Sequence, residues 1–287
     1  MSYSLDTGSD ETVSGTSVNV SVSASAGTHT VHVKALGDKG AVCVTDVAVT
    51  VSNVTDNVVA DTSVVPSGST SVSGIQAMNN WKASHDSGAN GTSSGTTSKV
   101  GSPTYSGTSR QFVSTYHNGG AVRYSTGFGD NTTSTNFLYD AWVYLTSSAS
   151  HIANLEMDVN QTMPNGNTVI FGVQCDAPSG TWDYTENLGT ASHPKGHWAH
   201  SGAACNLHNW SKYKWHHIQI SYSRTSTGHI TYKSVWLDGH QSTLNHTVFG
   251  ARSLGWGSSL STNFQLDGLG SSGSSTVYLG GLTIYRW

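Results

Sequence analysis

The sequence predicts an all-β protein whose main part is a two-sheet antiparallel jelly-roll sandwich. Only three glutamates occur in 287 residues, whereas Val, Thr, Tyr and Trp, which favour strands, are abundant. Apolar and polar residues alternate with a period of two over many short segments, and Gly/Ser clusters separate these segments. No long amphipathic helix is recognisable. We therefore expect helix in under about a tenth of the residues, against the usual third.

Residues 1–52 form the first predicted domain, a small β-unit. "SVNVSVSA" (17–24), "HTVHVKAL" (29–36) and "AVCVTDVAVTVS" (41–52) alternate valine with polar residues, which is typical of antiparallel hairpins. The segment resembles the C-terminal half of a bacterial immunoglobulin-like domain, with about half of the roughly 100 residues that a complete sandwich needs. The resemblance implies an open edge that the next domain or another chain covers, so this unit is a candidate for self-association.

Residues 53–74 are small and polar with one proline, and predict a linker or an irregular first strand. The main domain is predicted over 75–287. Its strands are predicted at 109–116, 121–126, 137–145, 154–161, 167–174, 214–223, 229–238, 262–267 and 276–287.

The end of the chain carries a resemblance to the concanavalin-A-like lectin/glucanase superfamily. "KWHHIQI" (214–220), "VWLDG" (235–239) and "VYLGGLTIY" (277–285) follow one another as a Trp-His strand, a hairpin ending in an Asp-Gly turn, and a closing strand. The order and spacing of these motifs, more than any single one, carry the resemblance over about residues 75–287. It implies a jelly roll that binds carbohydrate on its concave sheet.

The stretch "LEMDVNQ" (155–161) is the strongest candidate for a site. Successive residues of a strand face opposite sides, so Glu156 and Asp158 should share one face while Leu155, Met157 and Val159 enter the core. The strand rise places the two carboxylates about 6.5–7 Å apart. Since neighbouring carboxylates repel, one of them should keep its proton to a higher pH than a free acid would.

The same stretch resembles the catalytic strand of retaining glycoside hydrolases of family 16, which reads Glu-x-Asp-x-(x)-Glu. The resemblance implies that Glu156 is the nucleophile and that Asp158 tunes it. Gln161 occupies the place of the acid/base glutamate, and an amide does not exchange a proton at neutral pH. Asp158 itself, or Asp183 or Glu186 in "TWDYTENLG" (181–189), is then the candidate second acid. Gln161 is expected at the edge of the same groove.

Aromatic residues mark glycan-binding grooves because sugar rings stack on them. In "LYDAWVYL" (138–145), Asp140, Trp142 and Tyr144 share one face and are expected beside the two acids. Trp182, Trp198 and Trp256 lie in glycine-rich segments and are expected to line the groove.

Three functions stay open from the sequence: a glycoside hydrolase acting on a polymer such as a β-glucan, a lectin-like module that binds the polymer without cutting it, and a structural cell-surface unit. The net charge of -4 and the scattered Lys and Arg argue against nucleic acid as a partner. No stretch of about 18 apolar residues occurs, which argues against membrane insertion. The expected partner is a polysaccharide.

Three cysteines are present, and Cys175 and Cys205 are expected to pair, which would leave Cys43 as a small buried hydrophobe. A disulfide and the low charge indicate a secreted or cell-surface protein, although Met1 is not followed by a signal peptide. No cofactor is expected. A structural calcium ion is an alternative that the superfamily resemblance suggests, and a transition metal in "HPKGHWAH" (193–200) is another, but no strict metal motif is present.

Overall fold

The computed structural model describes residues 1–17, 20, 22, 24–25, 27–37, 41–51 and 65–287. Strands make up about 60% and helices about 4% of this part, and two large antiparallel sheets form a sandwich, which confirms the predicted fold class. The chain divides into two compact units, Met1–Asn57 and Val58–Trp287. Most of the predicted linker, residues 53–64, lies outside the described residues.

The first unit contains one antiparallel sheet in the order β2-β1-β3-β4. Its strands are β1 (Ser2–Leu5), β2 (Glu11–Thr12), β3 (Gly27–Leu36) and β4 (Val42–Val51). The last two match predicted strands. The residues described within 17–24 are not in a strand, and the others of that predicted strand lie outside the described part. The described residues of this unit form a single sheet, so the immunoglobulin-like resemblance stays unconfirmed.

The prediction that Cys43 is buried is wrong, because its side chain is exposed. Within the described residues β4 pairs with β3 alone, and side chains on both of its faces reach the surface. Val42 and Val44, on one face of β4, are 56% and 50% exposed, and Val47, which shares the other face with Cys43, is 47% exposed. Self-association through this unit stays a prediction.

The second unit consists of two eight-stranded antiparallel sheets, which we call the front and the back sheet. The front sheet contains β6 (Lys82–His85), β9 (Ala121–Gly129), β11 (Ile152–Thr162), β12 (Thr168–Asp176), β13 (Thr181–Asn187), β14 (Gly196–Ala204), β18 (Ala251–Arg252) and β19 (Leu260–Gly268). The back sheet contains β5 (Thr70–Ser73), β7 (Thr92–Val100), β8 (Ser109–His117), β10 (Asn136–Leu145), β15 (Trp215–Arg224), β16 (His229–Leu237), β17 (His240–Phe249) and β20 (Gly273–Arg286).

The order of strands is β14-β13-β12-β11-β19-β9-β6 in the front sheet, with β18 beside β12. In the back sheet it is β17-β16-β15-β10-β20-β8-β7, with β5 beside β20. In the part of this unit that the structure describes, three short 3-10 helices connect strands: Ile75–Ala77, Ser147–His151 and Leu207–Asn209. In the described residues, no helix has both the length and the apolar character needed to cross a membrane.

All nine strands predicted for the main domain are present, with ends that differ by a few residues. The strand β5 lies in the segment predicted as a linker or an irregular first strand, and it pairs with β20. Six strands of this unit were not predicted: β6, β7, β13, β14, β17 and the two-residue β18. The sequences of β6, β7, β14 and β17 are rich in Ser, Thr, His and Gly, and both faces of β7 and β14 carry exposed residues, so these strands lack the apolar alternation that reveals a half-buried strand. In β13, Trp182 and Tyr184 alternate with polar residues, but the strand is short.

The core lies between the two sheets and is filled by aromatic and aliphatic side chains from both. Phe112 on the back sheet stacks on Phe264 of the front sheet, with ring centroids 4.8 Å apart. Phe171 of the front sheet packs in the same way on Tyr222 of the back sheet, at 4.7 Å. These contacts fix which face of each strand is internal, and therefore which side chains the front sheet presents on its outer face.

Candidate functional site

The outer face of the front sheet carries the two acids of LEMDVNQ. Leu155, Met157 and Val159 are fully buried in the core, as the alternation predicts. Glu156 and Asp158 point to the opposite side of β11, away from the back sheet. They are only 8% and 2% exposed, because polar side chains of the neighbouring strands pack around them on the same face.

Strand pairing arranges these neighbours in two rows that cross the sheet. Because residues paired between antiparallel strands share a face, each row can be read from the register. The row of Glu156 contains His200, Asp183, Gln174, Glu156, Gln265, Arg123 and Ser84. The row of Asp158 contains Trp198, Thr185, Gly172, Asp158, Asn263, Ser125 and Lys82.

The two acids differ in their hydrogen bonds. Asp158 accepts from the backbone N–H of Asn263 at 2.7 Å, from the Asn263 amide at 3.1 Å and from the Asn160 amide at 3.1 Å. The carboxyl of Glu156 accepts none within the described part of the chain. Asp158 therefore positions two amide side chains, whereas the carboxyl of Glu156 has no hydrogen-bond partner among the described residues.

Burial raises the pKa of the Glu156 carboxyl well above its usual range, and the negative charge of Asp158 adds to this effect. Burial also raises the pKa of Asp158, but the hydrogen bonds from Asn263 oppose the shift. Since hydrogen bonds to a carboxylate favour its ionised form, Asp158 is the member of the pair that loses its proton first. Glu156 is thereby kept as a neutral carboxylic acid, a hydrogen-bond donor, over a wider range of pH.

Trp198 lies on the same outer face, close to Asp158. A side chain at Gly172 would place its Cβ 3.3 Å from the Cη2 atom of Trp198 and 2.6 Å from the Cγ2 atom of Thr185. Gly172 pairs directly with Asp158, so its missing side chain leaves room for the indole to lie over β12 beside the acids. The glycine is thus part of the site.

Trp256 flanks the site at the other end of the rows. Its side chain is 45% exposed. It borders a depression of about 410 Å³ on the outer face, which is lined by Asn80, Lys82, Arg123, Ser125, Thr126, Gly127, Trp256, Ser261 and Asn263. One tryptophan therefore lies at each end of a polar surface whose centre holds Glu156 and Asp158.

Asp183 is on the outer face, in the row of Glu156, but Glu186 is not. Asp183 is 1% exposed and accepts hydrogen bonds from Thr181 Oγ1 at 2.6 Å and His200 Nδ1 at 3.0 Å. Glu186 is three residues from Asp183, so it lies on the opposite face of β13, where it pairs with His197 Nδ1 at 2.8 Å. The expectation that Glu186 supplies the missing acid is therefore wrong on geometric grounds.

Gln161 is not in the groove either. The register of β11 runs without a bulge from Asn154 to Gln161, so Gln161 shares the inner face with Val159 and is fully buried. Its Oε1 atom accepts from Arg224 Nε at 2.6 Å, and its Nε2 atom donates to backbone oxygens of the loop before β10. The side chain ties the front sheet to the back sheet.

The expectation that Asp140, Trp142 and Tyr144 lie beside the acids is also wrong. They share one face, as predicted, but β10 belongs to the back sheet, so they face away from the front sheet. Trp142 stacks between Tyr105, at 3.8 Å, and His217, at 4.4 Å, and Asp140 accepts a hydrogen bond from His217. The alternation of apolar and polar residues predicts which side chains share a face of a strand, but it does not predict to which sheet the strand belongs.

Trp182 was expected in the groove, but its side chain is 1% exposed and packs inside against Trp210. Neighbouring residues of a strand point to opposite faces, and because Asp183 is on the outer face of β13, Trp182 is on the inner face. In the structure, a disulfide joins Cys175 at the end of β12 to Cys205 just after β14. It closes the segment that contains β13 and β14.

Sequence reasoning missed Lys82, Arg123 and Asn263. Arg123 and Asn263 lie at polar positions of the alternating strands "AVRYST" (121–126) and "TNFQLD" (262–267). That alternation was a usable signal for their outward direction. Lys82 had no such signal, because β6 has only four residues.

Among the described residues, no group of three or more His, Cys, Asp or Glu side chains is arranged to hold a metal ion. His197 and His200 instead pair with Glu186 and Asp183. A structural calcium ion stays an expectation of the sequence.

The second unit is therefore a β-sandwich with a polar, tryptophan-flanked site on one outer sheet face. No family model matches the chain, and no match is found among curated proteins. Among solved structures, one of carbohydrate-binding modules from the β-sandwich superfamily is similar at 12% identity, covering 98% of this chain and 82% of its own, with a TM-score of 0.38.

Two other solved structures are similar to this chain. The cellulose-induced protein Cip1 shares 16% identity over 71% of this chain and 90% of its own, with a TM-score of 0.41. Arcelin-5, a lectin-like defence protein from Phaseolus vulgaris, shares 12% identity over 76% of this chain and 98% of its own, with a TM-score of 0.41. Identities this low leave the function to be inferred from the side chains of the site.

Proposed function

We propose that the protein binds a polysaccharide across the outer face of its front sheet. The observation that supports this most is the arrangement of Trp198 and Trp256 at the two ends of a surface of amides, hydroxyls and carboxyls. Aromatic rings offer stacking area to sugar rings, and the polar groups between them match sugar hydroxyls in hydrogen bonding. Asn263, held by Asp158, is one such group in the depression.

Binding is tested by incubating the full chain with a panel of insoluble and soluble polysaccharides and measuring retention. The variants Trp198→Ala and Trp256→Ala should both reduce retention of the polymer that binds best. Tyr213→Ala is a suitable control, because this exposed aromatic residue precedes β15 of the back sheet. Failure of every polymer to be retained would contradict the proposal.

A second candidate function is hydrolysis of the bound polysaccharide. It is favoured by one specific observation, the raised pKa of Glu156 beside the hydrogen-bonded Asp158. A neutral carboxylic acid next to a carboxylate is the pair that glycoside hydrolysis requires. Their spacing on one strand, about 6.5–7 Å, falls in the range of inverting enzymes, roughly 6.5–9.5 Å. In such a reaction Glu156 would protonate the leaving oxygen and Asp158 would activate water.

Hydrolysis is separated from binding by measuring reducing ends in the same incubations. If the protein hydrolyses the polymer, reducing ends should appear, and Glu156→Gln should abolish their release. If it only binds, the polymer should be retained and no reducing ends should appear. We also propose that the protein acts outside the cell or on its surface. The Cys175–Cys205 disulfide supports this location, because disulfides persist in oxidising compartments.

A further inference from the structure

We infer that the polysaccharide carries anionic groups, and that Lys82 and Arg123 bind them in the depression beside Trp256. This inference rests on the proposed function and specifies its substrate class. The anionic group is a carboxylate or a sulfate on the sugar, since either one pairs with the charges of Lys82 and Arg123.

The two cations are the only Lys or Arg side chains that line this depression in the described part of the chain. Lys82 extends from the edge strand β6 and is exposed, and Arg123 extends from the neighbouring strand β9 and is partly exposed. Neither forms an ion pair with a described acidic residue. By contrast, Lys34 pairs with Asp10 at 2.7 Å, and Arg224 donates to Gln161.

The guanidinium of Arg123 also makes no side-chain hydrogen bond to a described residue. Two other arginines of this unit do: Arg110 donates to backbone oxygens of Gln76 and Met78, and Arg252 to that of Glu186. A guanidinium presents its donors in a planar fork that matches the two oxygens of a carboxylate, and such bidentate pairs are the stronger kind of charge-assisted bond. The free donors of Arg123 therefore face a partner outside the chain.

The charge of Arg123 acts on both acids of the site, because it opposes the rise in the pKa of Glu156 and of Asp158, but neither carboxyl forms an ion pair with Arg123. Arg123 is two strands from Glu156 in its row, about 9–10 Å by the strand spacing. Lys82 is three strands from Asp158, at about 14 Å. Burial raises the pKa of the Glu156 carboxyl, which keeps this group neutral over a wider range of pH and weakens its attraction for Arg123. The depression is thus the cationic end of the face, and the hydroxyl-binding groups lie towards Trp198.

A ligand that fits this pattern places an anionic group between Lys82 and Arg123 and stacks its ring on Trp256. Hydroxyl groups of that sugar meet Asn263 and Ser125, which line the same depression. The protein as a whole has a net charge of -4, so it does not attract polyanions through its overall charge. Binding of an anionic polymer would therefore depend on this local pair.

The test is a binding measurement of the full chain with polygalacturonate, alginate, a sulfated galactan, and neutral glucan and xylan, at low and moderate salt. Poly-glutamate serves as a polyanion without sugar rings. The variants are Lys82→Gln, Arg123→Gln and their combination. Lys99→Gln, an exposed lysine on β7 of the back sheet, is the matched control.

We expect an anionic polysaccharide to bind best, with affinity that falls by about two- to fivefold in each single variant, more in the double variant, and further with salt. The carboxylated and sulfated polymers show which anionic group is preferred. Equal affinity for neutral polymers, unchanged by the variants, would overturn the inference while leaving the proposed function intact. Binding of poly-glutamate as tight as that of the best polysaccharide would also overturn it. Retention of no polymer would overturn both.

Discussion

Glu156 and Asp158 lie two residues apart on one face of β11, yet Asp158 accepts three hydrogen bonds and Glu156 accepts none from the described residues. The fold thus holds the carboxyl of Asp158 through hydrogen bonds, whereas the carboxyl of Glu156 has no such bond to a described residue. This difference determines what their substitution should do.

Glu156→Gln should preserve folding and weaken polysaccharide binding only a few-fold, because a neutral carboxylic acid and an amide are both donors. Asp158→Ala should have a larger effect, since it releases Asn160 and Asn263 and costs about 1–3 kcal/mol of stability through unsatisfied groups. Binding isotherms and urea unfolding check both variants. Glu186→Gln, on the opposite face of β13, is the control and should leave binding unchanged.

Trp198→Ala and Trp256→Ala should each lower affinity roughly 2- to 12-fold, which corresponds to about 0.5–1.5 kcal/mol of aromatic contact. Calorimetric titration with the best polymer measures this loss. Equal affinities of both variants and the parent would show that the ligand lies elsewhere.

Gly172→Ala should displace the indole of Trp198, because the new Cβ would lie 2.6 Å from Thr185 Cγ2 and 3.3 Å from the ring. We expect a loss of affinity similar to that of Trp198→Ala. Tryptophan fluorescence reports the displaced ring. Gly166→Ala is not a matched control, since Gly166 has φ +82. Gly101, directly after β7 of the back sheet, has no positive φ and nothing near its Cβ, so Gly101→Ala is a suitable control and should leave the fluorescence unchanged.

The free energy of unfolding should fall as the pH rises from about 4 to 7. Burial raises the pKa of Asp267 to about 7, and burial also raises the pKa of Glu156. Below about pH 4 both the folded and the unfolded chain hold these protons. Between the unfolded and the folded pKa the unfolded chain ionises first, so the folded state loses stability with rising pH. Urea unfolding at pH 4.5 and 7.5 measures the difference, and Asp267→Asn should make it smaller. If Asp267→Asn leaves the pH dependence of the free energy of unfolding unchanged, the explanation by Asp267 is wrong.

Gln161→Glu should not create hydrolytic activity, although it restores the glutamate of the glycosidase pattern. The side chain lies inside the sandwich against Arg224, and the amide that donates to backbone oxygens of the loop before β10 would become an acceptor facing acceptors. We expect a loss of about 1–3 kcal/mol in stability. Thermal unfolding and a reducing-end assay test the two parts of this prediction. Measurable hydrolysis would mean that residue 161 reaches the outer face.

The apolar alternation predicted the fold well where one face of a strand is buried. Leu155, Met157 and Val159 are internal as expected, and Glu156 and Asp158 point outward. The same alternation would have placed Gln161 inside, with Val159. The resemblance to family 16 glycoside hydrolases instead placed Gln161 in the groove, because one form of that family pattern has an extra residue before its second glutamate. The register of β11 shows no such extra residue.

Long-range pairing accounts for the rest of what the sequence could not predict. Asp140 and Trp142 occupy a correctly predicted face of β10, but membership of the back sheet depends on pairing with β15 and β20, far away in the chain. Trp182 was expected in the groove because its segment is flanked by glycines, although Trp182 and Tyr184 alternate with polar residues as in a half-buried strand. Lys82 enters the site only because β6 pairs with β9 across about 40 residues of chain, a separation that local sequence patterns do not report.

The disulfide has a mechanical consequence for the proposed binding of a polymer. Trp198 lies on β14, which is the terminal strand of the front sheet, and an edge pair of strands can peel away one hydrogen bond after another under a pulling load. The Cys175–Cys205 bond encloses β13 and β14 in one covalent loop anchored on β12. Under the proposed function, tension on a ligand stacked on Trp198 would be carried through Cys205 into β12 by a covalent link, which limits how far the edge strand can separate from the sheet.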